Sequence, residues 1–388
     1  MLAHSPPLPL VIDYADNDRD ITAEDEERIV LALAQRNRVR RIRFRMPVRN
    51  LKKLIMTIDE EYPVLEYLVM MPLEKISVMI PETFRAPHLR HLLLIGFILP
   101  IRSRLLTTAV GLVTLALGGG HTHTDLQPDI LLQCISFMPR LEVLLIFFSF
   151  PFRGFESAPD VEEQFTLMPV ATHITLPNLR RFEFRGVSAY IEAVVRRITT
   201  PRLEKLDILF FNQLTAPVPH LLQFINTTGN LKFGSAKFKF LKNMVRVEVY
   251  PREDAKMYAL SIKVRCRHLD WQVPPAGQIF NSLCQIFSTV EHLTLEHEVQ
   301  SQSSEELDRT EWRKLLGSFS NMKTLRFDDG LVEGLSRCLR LDDGELPLEL
   351  LPELQELRYS GNGDTGDAFT PFIHACQNAG RTVNLVRL

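Results

Sequence analysis

Residues 86–94 read APHLRHLLL and residues 351–359 read LPELQELRY. Both carry the same order: an apolar residue, two others, an apolar residue, one other, an apolar residue. In the first copy these are Leu89, Leu92 and Leu94; in the second, Leu354, Leu357 and Tyr359. The last pair is two residues apart, the period of a strand with one buried face. The order recurs at Val39/Ile42/Phe44, Leu65/Leu68/Met70, Leu112/Leu115/Leu117, Leu141/Leu144/Ile146 and Leu179/Phe182/Phe184. Later copies are Leu203/Leu206/Ile208, Val290/Leu293/Leu295 and Met322/Leu325/Phe327. A proline stands two residues before the opening position at Pro63, Pro87, Pro139, Pro177, Pro201 and Pro352. Proline cannot continue a helix and biases its predecessor toward extended backbone, so it separates a helix from the strand that follows.

The early copies open at 39, 65, 89, 112 and 141, so the spacings are 26, 24, 23 and 29. Leucine-rich repeats have periods of about 20–29 residues. Between the copies, Leu51/Leu54/Ile55/Ile58, Ile191/Val194/Val195/Ile198, Trp312/Leu315/Leu316/Phe319 and Phe369/Phe372/Ile373/Cys376 follow the spacing of one helical face. Residues 22–36 read as a further helix, with Thr22 as N-cap and acidic residues in the first turn. Strand, helix, strand in repetition means parallel strands joined by crossovers. The expected fold is α/β: an irregular leucine-rich-repeat-like solenoid, with a parallel β-sheet on one face and helices on the other. It is read as a single domain over 1–388, capped at about 8–36 and 366–388 and closed by strands at Leu8–Asp13 and Thr382–Val386. Residues 150–176 read as a long insertion and 297–309 as a polar loop. Between 229 and 272 the repeat blurs. Met244–Tyr250 and Tyr258–Arg265 alternate like strands there, but no helices can be placed between them.

Because side chains alternate along a strand, the positions between the repeat residues face away from the helices. They form the candidate partner-binding surface: Arg41, Arg43 and Arg45, then Tyr67, Val69 and Met71, then His91, Leu93 and Ile95, then Val143, Leu145 and Phe147. Later strands offer Arg181, Glu183, Arg185, Lys205, Asp207, His292, Thr294, Glu296, Arg326, Asp328, Glu356 and Arg358. The surface is expected to be basic at one end, apolar in the first third and mixed in charge beyond. Exposed apolar patches mark interaction sites, and aromatic and Arg side chains dominate binding energy. The competing expectation is that the 150–176 insertion folds over the apolar part and makes it core.

The 388 residues carry a formal net charge of −2, with 45% apolar and 24% charged residues, the balance of a folded globular chain rather than a general nucleic-acid binder. Cys134, Cys266, Cys284, Cys338 and Cys376 are scattered, which argues against a disulfide framework and for a reducing compartment, cytoplasm or nucleus. The N-terminus has no signal-peptide pattern, and the longest apolar runs, Leu105–Leu117 and Val143–Phe152, fall short of the roughly 20 residues a membrane span needs. Gly118-Gly119-Gly120 lacks the Gly-Lys-Ser/Thr of a phosphate loop and reads as a strand-end turn. His121, His123 and Asp125 supply too few ligands for a zinc site, and no catalytic motif appears. The expectation is a non-enzymatic binder with no cofactor, no metal, no membrane and no nucleic-acid partner.

APHLRHLLL and LPELQELRY, the opening PPLPLVIDYAD (6–16), WRKLLGSFSNMKTLRFDDG (312–330) and the ending GRTVNLVRL (380–388) together resemble the repeat region of basidiomycete fungal F-box proteins. The resemblance covers nearly the whole chain. It implies a substrate receptor of a cullin-RING ubiquitin ligase, in which an N-terminal F-box docks on the ligase adaptor and the repeats hold the substrate. Only MLAHS precedes PPLPLVI, so no adaptor-binding residue carries over and the expectation is a substrate-recognition region without its F-box. The Asn that regular leucine-rich repeats place after the strand occurs once, at Asn362. A structural scaffold inside a larger assembly, binding through its edges, is the alternative.

Overall fold

The computed structural model describes residues 8–15, 21–74, 76–100, 103–119, 126–148, 173–211, 218–265, 287–298, 309–341, 350–360 and 365–388, with Val273 and Gly277. The chain divides into two compact units, Met1–Leu203 and Glu204–Leu388.

In the first unit the strands are β1 (Leu10–Tyr14), β2 (Val39–Met46), β3 (Tyr67–Pro72), β4 (Val78–Met79), β5 (His91–Ile95), β6 (Phe97–Ile98), β7 (Thr114–Gly118), β8 (Val143–Phe147), β9 (Ile174–Thr175), β10 (Arg181–Gly186) and β11 (Ile198–Thr199). Seven of them form one parallel sheet in the order β1-β2-β3-β5-β7-β8-β10. The two-residue strands pair separately, β4 with β6 and β9 with β11. The crossovers carry α1 (Ala23–Leu33), α2 (Val48–Ile55), α3 (Arg104–Thr108), α4 (Pro128–Ser136) and α5 (Ser188–Val195).

The repeat residues form the core. All three apolar positions of all ten copies are buried, none more than 7% exposed. The prolines act as expected. Each occupies the second position of a turn in which the N–H of the opening apolar residue donates to the carbonyl three residues earlier: Leu89 to Ala86 at 3.1 Å, Leu141 to Met138 at 3.1 Å, Leu203 to Thr200 at 3.2 Å. The fixed φ of proline suits that position. The predicted N-terminal helix is α1. Thr22 Oγ1 accepts from the Asp25 N–H at 3.1 Å, while Asp25 Oδ2 accepts from the Thr22 N–H at 3.3 Å, a closed capping box. Glu24, Asp25 and Glu26 complement the positive end of the helix. In α2, Val48, Leu51, Leu54 and Ile55 are the buried stripe.

The second unit holds β12 (Lys205–Phe210), β13 (Ser235–Leu241), β14 (Met244–Tyr250), β15 (Leu260–Arg265), β16 (His292–His297), β17 (Thr324–Asp328), β18 (Glu356–Ser360) and β19 (Asn384–Arg387). Among the described residues its α-helices are α6 (Pro219–Thr227), α7 (Arg309–Gly317), α8 (Val332–Leu339) and α9 (Thr370–Asn378). The strand order is β12-β15-β14-β13-β16-β17-β18-β19. The two segments that alternate between 229 and 272 are indeed strands, β14 and β15. The purely parallel expectation fails here, because β13–β14 and β14–β15 are antiparallel. The blur in the repeat is an antiparallel meander, joined by a two-residue turn between β13 and β14 and by the helix-free segment 251–259 between β14 and β15, so antiparallel neighbours replace the crossovers. Trp312, Leu315, Leu316 and Phe319 are buried as their spacing predicts, and the Trp312 ring meets Phe240 of β13 edge-on at 5.5 Å.

Candidate functional site

The sheet of the first unit has its helices on the face that carries the repeat residues. The other face is built from the alternate positions, and strand register arranges these in three rows. The first row runs Arg41, Tyr67, His91, Thr114, Val143, Arg181. The second runs Arg43, Val69, Leu93, Ala116, Leu145, Glu183. The third contains Arg45 beside Met71, then Ile95, Gly118, Phe147 and Arg185.

The rows are chemically graded. In the first, the Arg41 guanidinium lies over the Tyr67 ring at 4.3 Å, Tyr67 and His91 rings are 5.7 Å apart, and His91 Nδ1 is 3.1 Å from Thr114 Oγ1. The Arg41 Nε is buried and has no hydrogen-bond partner among the described residues. At the far side, Arg185 lies over the Phe147 ring at 4.4 Å, and Arg181 is held by Glu183. Arg43 reaches Asp13 of β1 at 3.7 Å. Between the arginines, Leu93, Ile95, Val143, Leu145 and Phe147 are half-buried and apolar.

Two features depart from the sequence reading. Val69, expected on the open face, is only 9% exposed, because its short side chain sits in register between the longer Arg43 and Leu93. The strand β7 also contributes to this face, beyond the candidate positions read from the sequence. Its alternate positions are Thr114, Ala116 and Gly118, and Ala116 is fully buried. A β-carbon on Gly118 would stand 2.8 Å from Ile95 Cδ1 and 3.1 Å from Phe147 Cβ, so Ile95 and Phe147 close over this strand from either side. The signal was present as small residues at the alternate positions of the Leu112/Leu115/Leu117 copy.

The corresponding face of the second unit is charged. Lys263 Nζ donates to Asp207 at 2.9 Å, and Tyr258 donates to the same carboxylate at 2.6 Å. Glu248, 5% exposed, is approached by Lys239 at 3.3 Å and Arg246 at 3.7 Å and accepts from Tyr250 at 2.9 Å. Burial, with Glu248 beside it, pushes the Tyr250 phenol up, so it stays a neutral donor. Glu253, in the β14–β15 connection, reaches His292 at 3.6 Å and Arg358 at 3.5 Å. Lys237, Lys239, Arg246, Glu248 and Lys263 come from the meander and were not legible as surface positions.

The chemistry of reaction is weakly represented. Among the described residues no group of three His, Cys, Asp or Glu side chains could hold a metal ion. Burial pushes the Cys134 thiol up to about 11, and the Cys376 thiol up as well, so neither is an activated nucleophile. Gly118 and Gly119 end β7 in a turn with Gly119 at φ +67. Gly120, His121, His123, Asp125, Cys266, Cys284, Asn362 and most of the 150–176 and 297–309 segments lie outside the described residues. Among the described residues no helix is long and apolar enough to cross a membrane.

No protein-family model matches the chain, and no curated protein matches it. Among solved structures it is similar to TLR13 in a complex with ssRNA13, at 14% identity and a TM-score of 0.34, over 90% of this chain and 42% of TLR13. It is also similar to the leucine-rich repeat-containing protein LegL7 from Legionella pneumophila, at 11% identity and a TM-score of 0.32, over 84% of this chain and 89% of that one. The chain thus spans under half the length of TLR13. By its own strands and helices the fold is α/β, a mostly parallel sheet whose crossovers carry helices.

Proposed function

We propose that the chain is a protein-binding repeat module and that its partner docks on the open sheet face of the first unit. The observation that supports this most is the belt of Leu93, Ile95, Val143, Leu145 and Phe147, an apolar strip left half-buried on the sheet face opposite the repeat residues, on positions that the repeat leaves out of its core. Parallel sheets are ordinarily covered on both faces, so such a strip is a surface built to be covered. The resemblance of the sequence to fungal F-box proteins supports a narrower reading, the substrate-recognition region of a ubiquitin-ligase receptor.

A photo-crosslinking amino acid at Leu145, compared with one at the 76% exposed Met56, tests the site. A partner protein captured from Leu145 and not from Met56 is the expected result; equal capture, or none, places the function elsewhere. The cellular level of the captured protein then tests the ligase reading. It should rise when the chain is deleted. An unchanged level would favour a scaffold.

A further inference from the structure

Resting on that reading of the face, we infer that its partner is a polypeptide segment with a short apolar centre and acidic residues at both ends. The first reason is charge. The face carries Arg41, Arg43 and Arg45 on β2 and Arg181 and Arg185 on β10, against the carboxylates of Asp13 and Glu183. Those two carboxylates serve Arg43 and Arg181. Arg41, Arg45 and Arg185 have no carboxylate partner among the described residues, and the buried Arg41 Nε has no acceptor. Free guanidiniums therefore stand on both sides of the apolar belt. Their planar donor forks match carboxylates, and the tilt of Arg41 and Arg185 onto aromatic rings fixes them in place before a partner arrives.

The second reason is spacing. Strands β2 and β10 are five steps apart in the sheet. At about 4.8 Å per step, that is roughly 24 Å, or about seven residues of an extended chain. The apolar belt, from β5 to β8, occupies the middle of that distance. A segment crossing the strands along the rows would place large apolar side chains over Leu93, Leu145 and Phe147 and carboxylates at each end.

A single-stranded nucleic acid would also bring negative charge, but it is bound by stacking bases on free aromatic faces. Here one face of the Tyr67 ring is taken by Arg41 and one face of the Phe147 ring by Arg185, and the belt between them is mostly aliphatic.

The test uses the full chain and a random twelve-residue peptide library displayed on phage. Enriched peptides are synthesised and their affinities measured by fluorescence anisotropy against the wild-type chain, R41Q/R45Q, R185Q and L145S, with a twelve-nucleotide single-stranded RNA in parallel. The expected result is enrichment of Asp or Glu at two positions about seven residues apart with Leu, Ile or Phe between them. Affinity should fall at least tenfold in R41Q/R45Q, in R185Q and in L145S. Because the arginine changes are on the surface, unaltered thermal unfolding of those variants separates lost contacts from lost fold. Peptides that need Leu145 but show no acidic bias and ignore the arginine variants would overturn the acidic partner and leave the sheet-face reading standing. No peptide dependent on either set would sink both. RNA binding that needs the arginines while L145S is silent would replace the polypeptide with a nucleic acid.

Discussion

Gly118 sets the shape of the open face. Its absent side chain is the space into which Ile95 and Phe147 close. Gly118→Val should cost about 1–3 kcal/mol by overpacking and splay those two residues apart, read as a lower urea midpoint and as altered affinity for the selected peptides. Asp328, at the end of β17, presents a second single-residue effect. Burial raises its carboxyl above the ordinary 3.8, with the neighbouring Glu296 and Asp329 adding to the rise against the His297 N–H that it accepts. Its Oδ1 is buried without a partner. A carboxyl raised on folding favours the folded state below its unfolded value, and that contribution is lost as pH rises through the folded value. At neutral pH Asp328 therefore opposes folding. Asp328→Asn, which keeps an acceptor for His297, should raise the melting temperature at pH 7, and the gain should shrink as pH falls toward 3.8. A gain that is independent of pH would show that ionisation is not the cause.

At the scale of elements, helices are fixed both by their apolar stripes and by polar ties between neighbours. Arg197, just after α5, is 1% exposed and is paired with Asp129 in the first turn of α4. Asp129→Ala would leave a buried guanidinium without this carboxylate, and should destabilise the chain by up to about 3 kcal/mol. Chemical denaturation measures it; the Arg197→Met/Asp129→Ala double variant should recover part of the loss, since a buried pair is often replaceable by apolar packing. The proline-led turns act at the strand end of six of the crossovers. They help to set where those strands begin, and the parallel register brings the alternate positions of successive strands into common rows.

At the scale of the molecule, each repeat buries its apolar face only against its neighbours, so an end must be closed. In the second unit β19 pairs with β18, Glu356 with Asn384 and Arg358 with Val386. Removing residues 382–388 should expose the β18 edge. Hydrogen exchange should then quicken in Glu356–Ser360 and remain slow in β13 and β14, which lie three and four strands away. Equal acceleration across the sheet would mean that the unit unfolds as one.

The sequence by itself determined the repeat, its core and its turns. Apolar residues at 3-then-2 spacing, preceded by a proline in six of ten copies, form a local pattern whose burial follows from strand alternation, and all ten copies are buried where it says. The helices with a full apolar stripe were legible for the same reason; α8 is less so, because Ser336 interrupts its stripe, although Val332, Leu335 and Leu339 are buried on it. Arg41, Arg43 and Arg45 were legible as one edge of a surface because three arginines alternate with apolar residues on one strand. Only the tertiary structure decided what depends on neighbours distant in sequence. The β13–β14–β15 meander reverses direction because strand partners are chosen across the sheet, and alternation alone does not say which strand lies beside which. Val69 is covered, and Ile95 meets Phe147 above Gly118, because register brings three different repeats side by side. Periodicity reports which way a side chain points; how deep it lies, and what stands next to it, is set by the pairing of strands.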